Sequence, residues 1–216
     1  MPAISKESLR DASYVASLRV VDAFAQVLRL FEDDTIAHEK GSLDPLRDLE
    51  DVETELILSD LVVIEKRLER LDKDRKKIKN PELDREFELL QKCKAAVDAN
   101  QPLREMDLDQ EDEKRIRGFQ FLSQKPMLYV LNLGEADAPK LHDKEREYRE
   151  GPLAGRKHTA AAAICGKVEA ELAELPANES VSYTHLDVYK RQANGLPATT
   201  ALRSAGVRRM TSARKP

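Results

Sequence analysis

A hydrophobic stripe between Ile57 and Ile78 constrains this chain more than any other feature. Ile57, Leu61, Ile64, Leu68 and Leu71 follow one another at spacings of four and three, and Ile78 lies one heptad beyond Leu71. That rhythm keeps one face of an α-helix apolar, whereas a strand changes face at every residue. Asn80-Pro81 interrupts it, because a proline inside a helix removes a donor and clashes with the preceding turn. Leu83, Phe87, Leu90 and Val97 then resume the spacing, with Lys94 at the remaining seam position, so this second arm is the weaker. Two amphipathic helices joined at a short break predict an antiparallel coiled-coil hairpin. The acids and bases interleaved on its outer faces are read as solvation and i,i+4 pairing. The run Lys73-Asp-Arg-Lys-Lys-Ile-Lys79 is the most basic patch of the patterned region and falls near the tip, where a partner could bind.

The hairpin also explains the composition. Of 216 residues, 35% are charged and 5% aromatic, which suits long solvated helices. The formal charge of -4 is an average over unlike parts. The last 24 residues hold five bases and no acid and the 12 before them carry a net +1, which leaves residues 1–180 at -10. A chain of that balance, taken as a whole, has no strong attraction for nucleic acid or an anionic membrane. No apolar run approaches the roughly 18 residues of a membrane span, and no basic segment followed by an apolar core opens the chain. Cys93 and Cys165 stand far apart in unlike contexts, which favours free thiols and a cytoplasmic location.

The flanks of the hairpin have a different grammar. Phe24 to Phe31 is a mostly apolar run that periodicity alone leaves open between helix and strand, and Glu32-Asp33-Asp34 after it suggests a strand emptying into a loop. Met127-Leu-Tyr-Val-Leu131 has the continuous apolar character of a buried parallel strand. Between the hairpin and that strand, a helix is expected to start at Asp107 or Asp109 and to end at Lys125-Pro126. Thr159 to Ile164, rich in alanine, is either helix or small-residue strand, and a short helix follows it. Strands alternating with helices argue an α/β fold with the hairpin as an insertion.

Ligands of open α/β sheets sit beyond the carboxyl ends of the strands. Three strand ends therefore matter: the loop holding His38, the Asn132-Leu-Gly-Glu135 turn and Cys165-Gly166-Lys167. An asparagine amide donates and accepts while a carboxylate only accepts, a pair suited to reading a nucleobase. A loop or helix cap accounts for the same two residues.

The order of these segments carries a resemblance. Val21-Asp-Ala-Phe-Ala-Gln-Val-Leu-Arg-Leu-Phe-Glu-Asp-Asp34, His38, Asp44-Pro-Leu-Arg-Asp48, Thr54-Glu-Leu-Ile-Leu-Ser-Asp-Leu61, Glu65-Lys-Arg67, Pro102-Leu-Arg104 and Lys125-Pro-Met-Leu-Tyr-Val-Leu-Asn-Leu-Gly-Glu135 resemble the YchF family of Obg-like ATPases, relatives of the translational GTPases. The likeness weakens over 136–158 and returns at Ile164 to Leu175. It implies part of a P-loop NTPase G domain, an incomplete parallel sheet with an inserted antiparallel α-helical coiled-coil hairpin. On that reading 14–45 and 107–180 belong to the G domain, 46–106 to the insertion, and 1–13 matches nothing. The resemblance further implies ATP with Mg²⁺, the ribosome as partner, contact with nucleic acid through ribosomal RNA, and no membrane. Asn132, Leu133 and Glu135 match the family's altered base-recognition motif, and Cys165, Gly166 and Lys167 its last base-contacting loop. His38 matches a histidine that the family is thought to use in hydrolysis, where a neutral imidazole can orient or deprotonate the attacking water.

Several parts of the family pattern find no match. No G-x-x-x-x-G-K-[ST] occurs, nor the family's Asp-x-Ala-Gly switch segment or its C-terminal TGS domain. Gly151-Pro-Leu-Ala-Gly-Arg-Lys157 has the wrong glycine spacing, an Arg before its Lys, and a His where the hydroxyl belongs. The chain is therefore expected to be a family fragment that cannot itself hydrolyse ATP, since phosphoryl transfer depends on the phosphate cradle. Val181-Ser-Tyr-Thr-His-Leu-Asp-Val-Tyr-Lys-Arg-Gln192 resembles the translation of two inverted sequencing-adapter ends, with residues 193–216 then a foreign or out-of-frame tail. His142, His158 and His185 show no metal-ligand spacing with either cysteine. The competing expectation is a non-enzymatic helical-hairpin interaction module.

Overall fold

The computed structural model describes residues 11–33, 35, 38 and 41–174; the adapter-like segment at 181–192 and the tail at 193–216 lie outside the described residues. The described residues divide into two compact units, one a helical body holding Arg47–Lys125 and α1 (Ala12–Arg19), the other a sheet body holding the described residues of 23–46 and 126–174.

In the sheet body, β1 (Phe24–Arg29), β2 (Met127–Asn132) and β3 (Thr159–Ile164) form a parallel sheet in the order β1-β2-β3. Phe24 stands opposite Met127 and Met127 opposite Thr159, and the ladder runs in step to Arg29, Asn132 and Ile164. Central β2 buries Met127, Tyr129 and Leu131 on one face, so the apolar run seen in the sequence is a true interior strand. The alanine-rich segment resolves as strand: Ala161 and Ala163 are buried, and α5 (Leu141–Glu150) packs against it. Gly155 and His158, both at positive φ, turn the chain from α5 into β3. The glycine pair of 151–157 thus lies in a turn preceded by a helix, with no strand feeding it as a phosphate loop requires.

The helical body is built on α2 (Pro45–Arg75) and α3 (Pro81–Asp98). Arg75 pairs with Asp84, Arg67 with Glu86 and Glu65 with Lys94, so partners farther back along α2 lie farther forward along α3. Asn80 caps α3 by accepting the Glu82 N–H at 3.0 Å, and Pro81 takes the first helical position, where a missing donor costs nothing. At the other end Asn100, at φ +55°, lets the Gln101 N–H return to the Ala96 carbonyl. Ile57, Ile64 and Leu71 from α2 share a core with Leu90, Cys93 and Val97 from α3, closed by Leu103, Ile116 and Phe121.

Two details depart from the heptad reading. Ile78 is 61% exposed, because α2 ends at Arg75 and the seam ends with it. Cys93, not Lys94, turns inward; Lys94 reaches out to Glu65 and Asp98. α4 (Gln110–Ile116) starts where one of the two candidate caps stood: Asp109 accepts the Asp112 N–H at 2.8 Å. α1, capped by Asp11, falls in a stretch too polar for periodicity to reveal.

Buried polar groups tie the helical body together. The Asp60 carboxylate, fully buried, accepts from the Leu122 N–H at 2.9 Å, the Ser123 N–H at 2.7 Å and the Ser123 hydroxyl at 2.8 Å, with Arg19 at 3.5 Å. Glu53 and Arg104 form a second buried ion pair, and Arg104 also donates to the Ser123 carbonyl. Lys125 caps the carbonyls of Arg19 and Val21.

Candidate functional site

The carboxyl ends of the three strands gather the candidate residues of the sheet body on one edge. Asn132 is the last residue of β2 and stands opposite Ile164 in the register. Its side-chain oxygen accepts the Gly166 N–H at 2.9 Å, which joins the turn after β2 to the N-terminus of α6 (Gly166–Glu174). That bond settles the amide's orientation: the oxygen must face the N–H, so Nδ2 is left as a donor. A Cβ at position 166 would lie 3.1 Å from Asn132 Oδ1, so only glycine lets the amide approach without displacement.

The second link is an ion pair. Glu135, the first residue of a 3₁₀ turn spanning Glu135–Lys140, receives the Lys167 ammonium at 2.7 Å. The bond to Glu135 raises the Lys167 pKa above its usual range. Asp33, in the loop after β1, also feels the Lys167 charge, though its carboxyl is lowered mainly by the Thr35 hydroxyl and N–H. Both partners of the Glu135–Lys167 pair are about half exposed or more, so the pair can open toward a ligand.

Leu133 and Cys165 lie deeper, at 3% and 2% exposure. The Leu133 N–H extends the ladder by donating to the Ile164 carbonyl, and the Cys165 carbonyl accepts the Glu169 N–H to start α6. Both therefore hold the two turns in place through the main chain. His38 lies in the loop between β1 and α2, where its carbonyl accepts the Gly41 N–H at 2.9 Å. Positions 34, 36, 37, 39 and 40 around it lie outside the described residues.

Sequence reasoning passed over the residues that shape this edge from beneath. Arg29 ties the turn after β1 by donating to the carbonyls of Phe31 and Asp33, and its guanidinium sits 4.9 Å from the Phe31 ring centroid. A Cβ at Gly134 would come within 3.1 Å of Phe31 Cβ, so the Asn132-Leu-Gly-Glu135 turn needs its glycine to lie against that ring. The only sequence signal was an arginine closing an apolar strand, which is too common to single out. Among the described residues no group of three His, Cys, Asp or Glu is placed to hold a metal ion. Nor is any helix among them long and apolar enough to cross a membrane.

No protein-family model matches the chain. Curated relatives do. The ribosome-binding ATPase YchF of Bacillus subtilis is 34% identical over 166 residues, covering 77% of this chain and 45% of the relative. The Haemophilus ducreyi protein of the same name is 34% identical over 175 residues, with 79% and 46% covered. Obg-like ATPase 1 of rice is 31% identical over 179 residues, with 79% and 43% covered. The chain thus spans about half the length of the curated relatives it matches. The solved Schizosaccharomyces pombe YchF GTPase shares the fold at a TM-score of 0.67 and 23% identity, over 90% of this chain and 53% of that one. In its parallel sheet and over 77% of its length, at 34% identity to the Bacillus subtilis protein, the chain is similar to part of the YchF family of Obg-like ATPases.

Proposed function

We propose that this chain carries the base-recognition side of a YchF-type ATPase G domain, together with its inserted antiparallel coiled-coil hairpin, and that it works in the cytoplasm in association with the ribosome. The observation that carries the reading is the pair of links between the β2 and β3 ends: Asn132 to Gly166, and Glu135 to Lys167. The three ion pairs Arg75–Asp84, Arg67–Glu86 and Glu65–Lys94, which run in opposite directions along α2 and α3, support the hairpin. The names of the curated relatives support ATP and the ribosome.

The site fits a purine by its donor and acceptor pattern. Adenine presents an N7 acceptor beside an N6 amino donor, and an asparagine amide matches the two at once. Asn132 offers its Nδ2 donor, and its Oδ1 keeps one lone pair after accepting the Gly166 N–H. Glu135 adds a second acceptor held by Lys167. Leu133, Cys165 and Gly166 position those groups, and His38 would orient or deprotonate the attacking water. Mg²⁺ in the intact family would neutralise charge developing on the phosphates. Within these 216 residues no G-x-x-x-x-G-K-[ST] supplies a backbone cradle, so the base side alone binds ATP weakly and turnover by this chain falls below detection. Isothermal titration with ATP and Mg²⁺ tests this. Micromolar affinity, or ATP hydrolysis lost on Asn132→Ala, would refute the inactive reading.

One observation favours a second reading, a non-enzymatic interaction module: the helical body has its own buried core. Its test is whether residues 11–125, which include α1 and the Asp60 and Arg104 links, fold and bind ribosomes without β2 and β3. A piece ending at Asn100 would lack Leu103, Ile116 and Phe121 and lose that core.

A further inference from the structure

The link between α2 and α3 is more basic than a helix end requires. Residues 73–79 hold five bases and one acid, on a stretch of chain whose residues 1–180 sum to -10. Cations in the last turn of a helix complement its dipole, and Lys73 and Arg75 sit there. Lys77, Ile78 and Lys79 lie beyond the helix and serve no such end.

Three carboxylates of this turn are already paired. Asp72 holds Lys76 at 2.6 Å, Asp84 holds Arg75 and Glu82 holds Arg85. Arg75 is further fixed with its guanidinium 4.2 Å from the centroid of the Phe87 ring. Lys73, Lys77 and Lys79 are all exposed and make no ion pair with any described residue. Beside them an open groove of about 630 Å³ is lined by Lys79, Ile78, Asn80 and Pro81, and by the paired Asp72–Lys76 and Asp84–Arg75. One unpaired cation, Lys79, thus borders a concave surface that also offers an exposed apolar side chain, and Lys73 and Lys77 lie nearby in the chain.

We propose that this turn is a phosphate-backbone contact for RNA, with Lys73, Lys77 and Lys79 as its cations and the groove beside Ile78 receiving a sugar or base. Unpaired surface lysines bind a polyphosphate by releasing its condensed counterions, a gain that lysines paired to carboxylates do not make. An anionic membrane fits less well, because interfacial binding needs a continuous apolar face and Ile78 is the one large hydrophobic exposed at this turn. The inference gives a surface to the ribosome association proposed above and rests on it for biological meaning, while its evidence is the charge distribution.

The test measures anisotropy of a labelled RNA stem-loop titrated with the full chain at several salt concentrations. The K73Q/K77Q/K79Q variant is compared with K66Q/K92Q/K114Q, which removes the same charge elsewhere on the helical body. These exposed substitutions are expected to leave far-UV ellipticity unchanged. The tip variant is expected to lose roughly tenfold or more in affinity, and its slope of log K against log salt to fall by about 2 to 3, one counterion or slightly less per lysine. The control variant is expected to keep the parent slope. Three results would overturn the proposal: an undiminished slope in the tip variant, which would put binding elsewhere, for example on the five bases after Gln192; an equal loss in the control; or no RNA binding alongside lysine-dependent binding to vesicles one-third phosphatidylserine. Co-sedimentation with ribosomes is a separate readout, and its failure with RNA binding intact bears on the ribosome reading alone.

Discussion

Asp60 offers the sharpest test of how the helical body is held. Its carboxylate is fully buried and accepts from two backbone N–H groups and one hydroxyl, all at 2.7–2.9 Å. Asp60→Ala leaves the Leu122 and Ser123 N–H groups without an acceptor, whereas the Ser123 hydroxyl can rotate. At about 1–3 kcal/mol for each orphaned buried donor, the loss is about 4 kcal/mol, a large share of a typical domain's stability. Asp60→Asn keeps one oxygen and turns an amide NH₂ toward the other donor, so about half that loss is expected. Burial raises the Asp60 carboxyl above its usual range, while Leu122, Ser123 and Arg19 oppose the rise. The folded state then holds a proton more tightly than the unfolded chain. This group's contribution therefore falls as pH climbs from the ordinary carboxylate value, 3.8, through the folded one. Asp60→Asn removes that slope. Urea unfolding followed by far-UV ellipticity, repeated between pH 4 and 8, reads both effects. An alanine variant within about 1 kcal/mol of the parent would show that water satisfies those donors and that the carboxylate is not the fastening.

Glu53 and Arg104 form a buried pair, so Arg104→Met alone should cost about 3–5 kcal/mol, and Glu53→Leu with Arg104→Met should recover most of it in the same unfolding assay. Gly166→Ala places a methyl 3.1 Å from Asn132 Oδ1 and should lower the thermal midpoint by a few degrees, with the weakened bond to Asn132 visible as faster exchange of the amide at position 166 than in the parent. Burial pushes the Cys93 thiol up to about 11, so at pH 8 a disulfide reagent should modify it only after denaturation.

How much of this was legible depends on the range over which each signal acts. The β2 run declares itself because an interior strand needs nothing but apolar residues, and the α2 stripe because one helix face repeats, whereas β1, an edge strand with Val27 exposed, is marked as strand only by the acidic stop after it. The alanines of β3 are ambiguous by composition; only the partner ladder of β2 makes them a strand. The heptad grid misled at Lys94 and Ile78, one because a neighbouring position is the inward one and the other because the helix had ended. The candidate site divides in the same way. Asn132, Glu135, Gly166 and Lys167 stood out as residue types after strand ends, but which pairs would meet did not. Asp60 and Ser123 are more than 60 positions apart, and nothing near either of them announces the other. Polar networks of that reach are written in three dimensions only.

The parallel register imposes an order of assembly. Phe24 must find Met127 across about a hundred intervening residues, and closing so long a loop of flexible chain costs about 4 kcal/mol before the first ladder bond forms. The pairing of α2 with α3, by contrast, closes across the short turn at 76–80. Local contacts of that kind form fast, and once made they remove most of the free chain between the strands. The sheet is therefore the late event: Val130→Ala in β2 is expected to speed unfolding with little change in the folding rate, and Leu90→Ala in α3 to slow folding. The residues that would read a nucleobase come into register last, after the helices that share nothing of their chemistry.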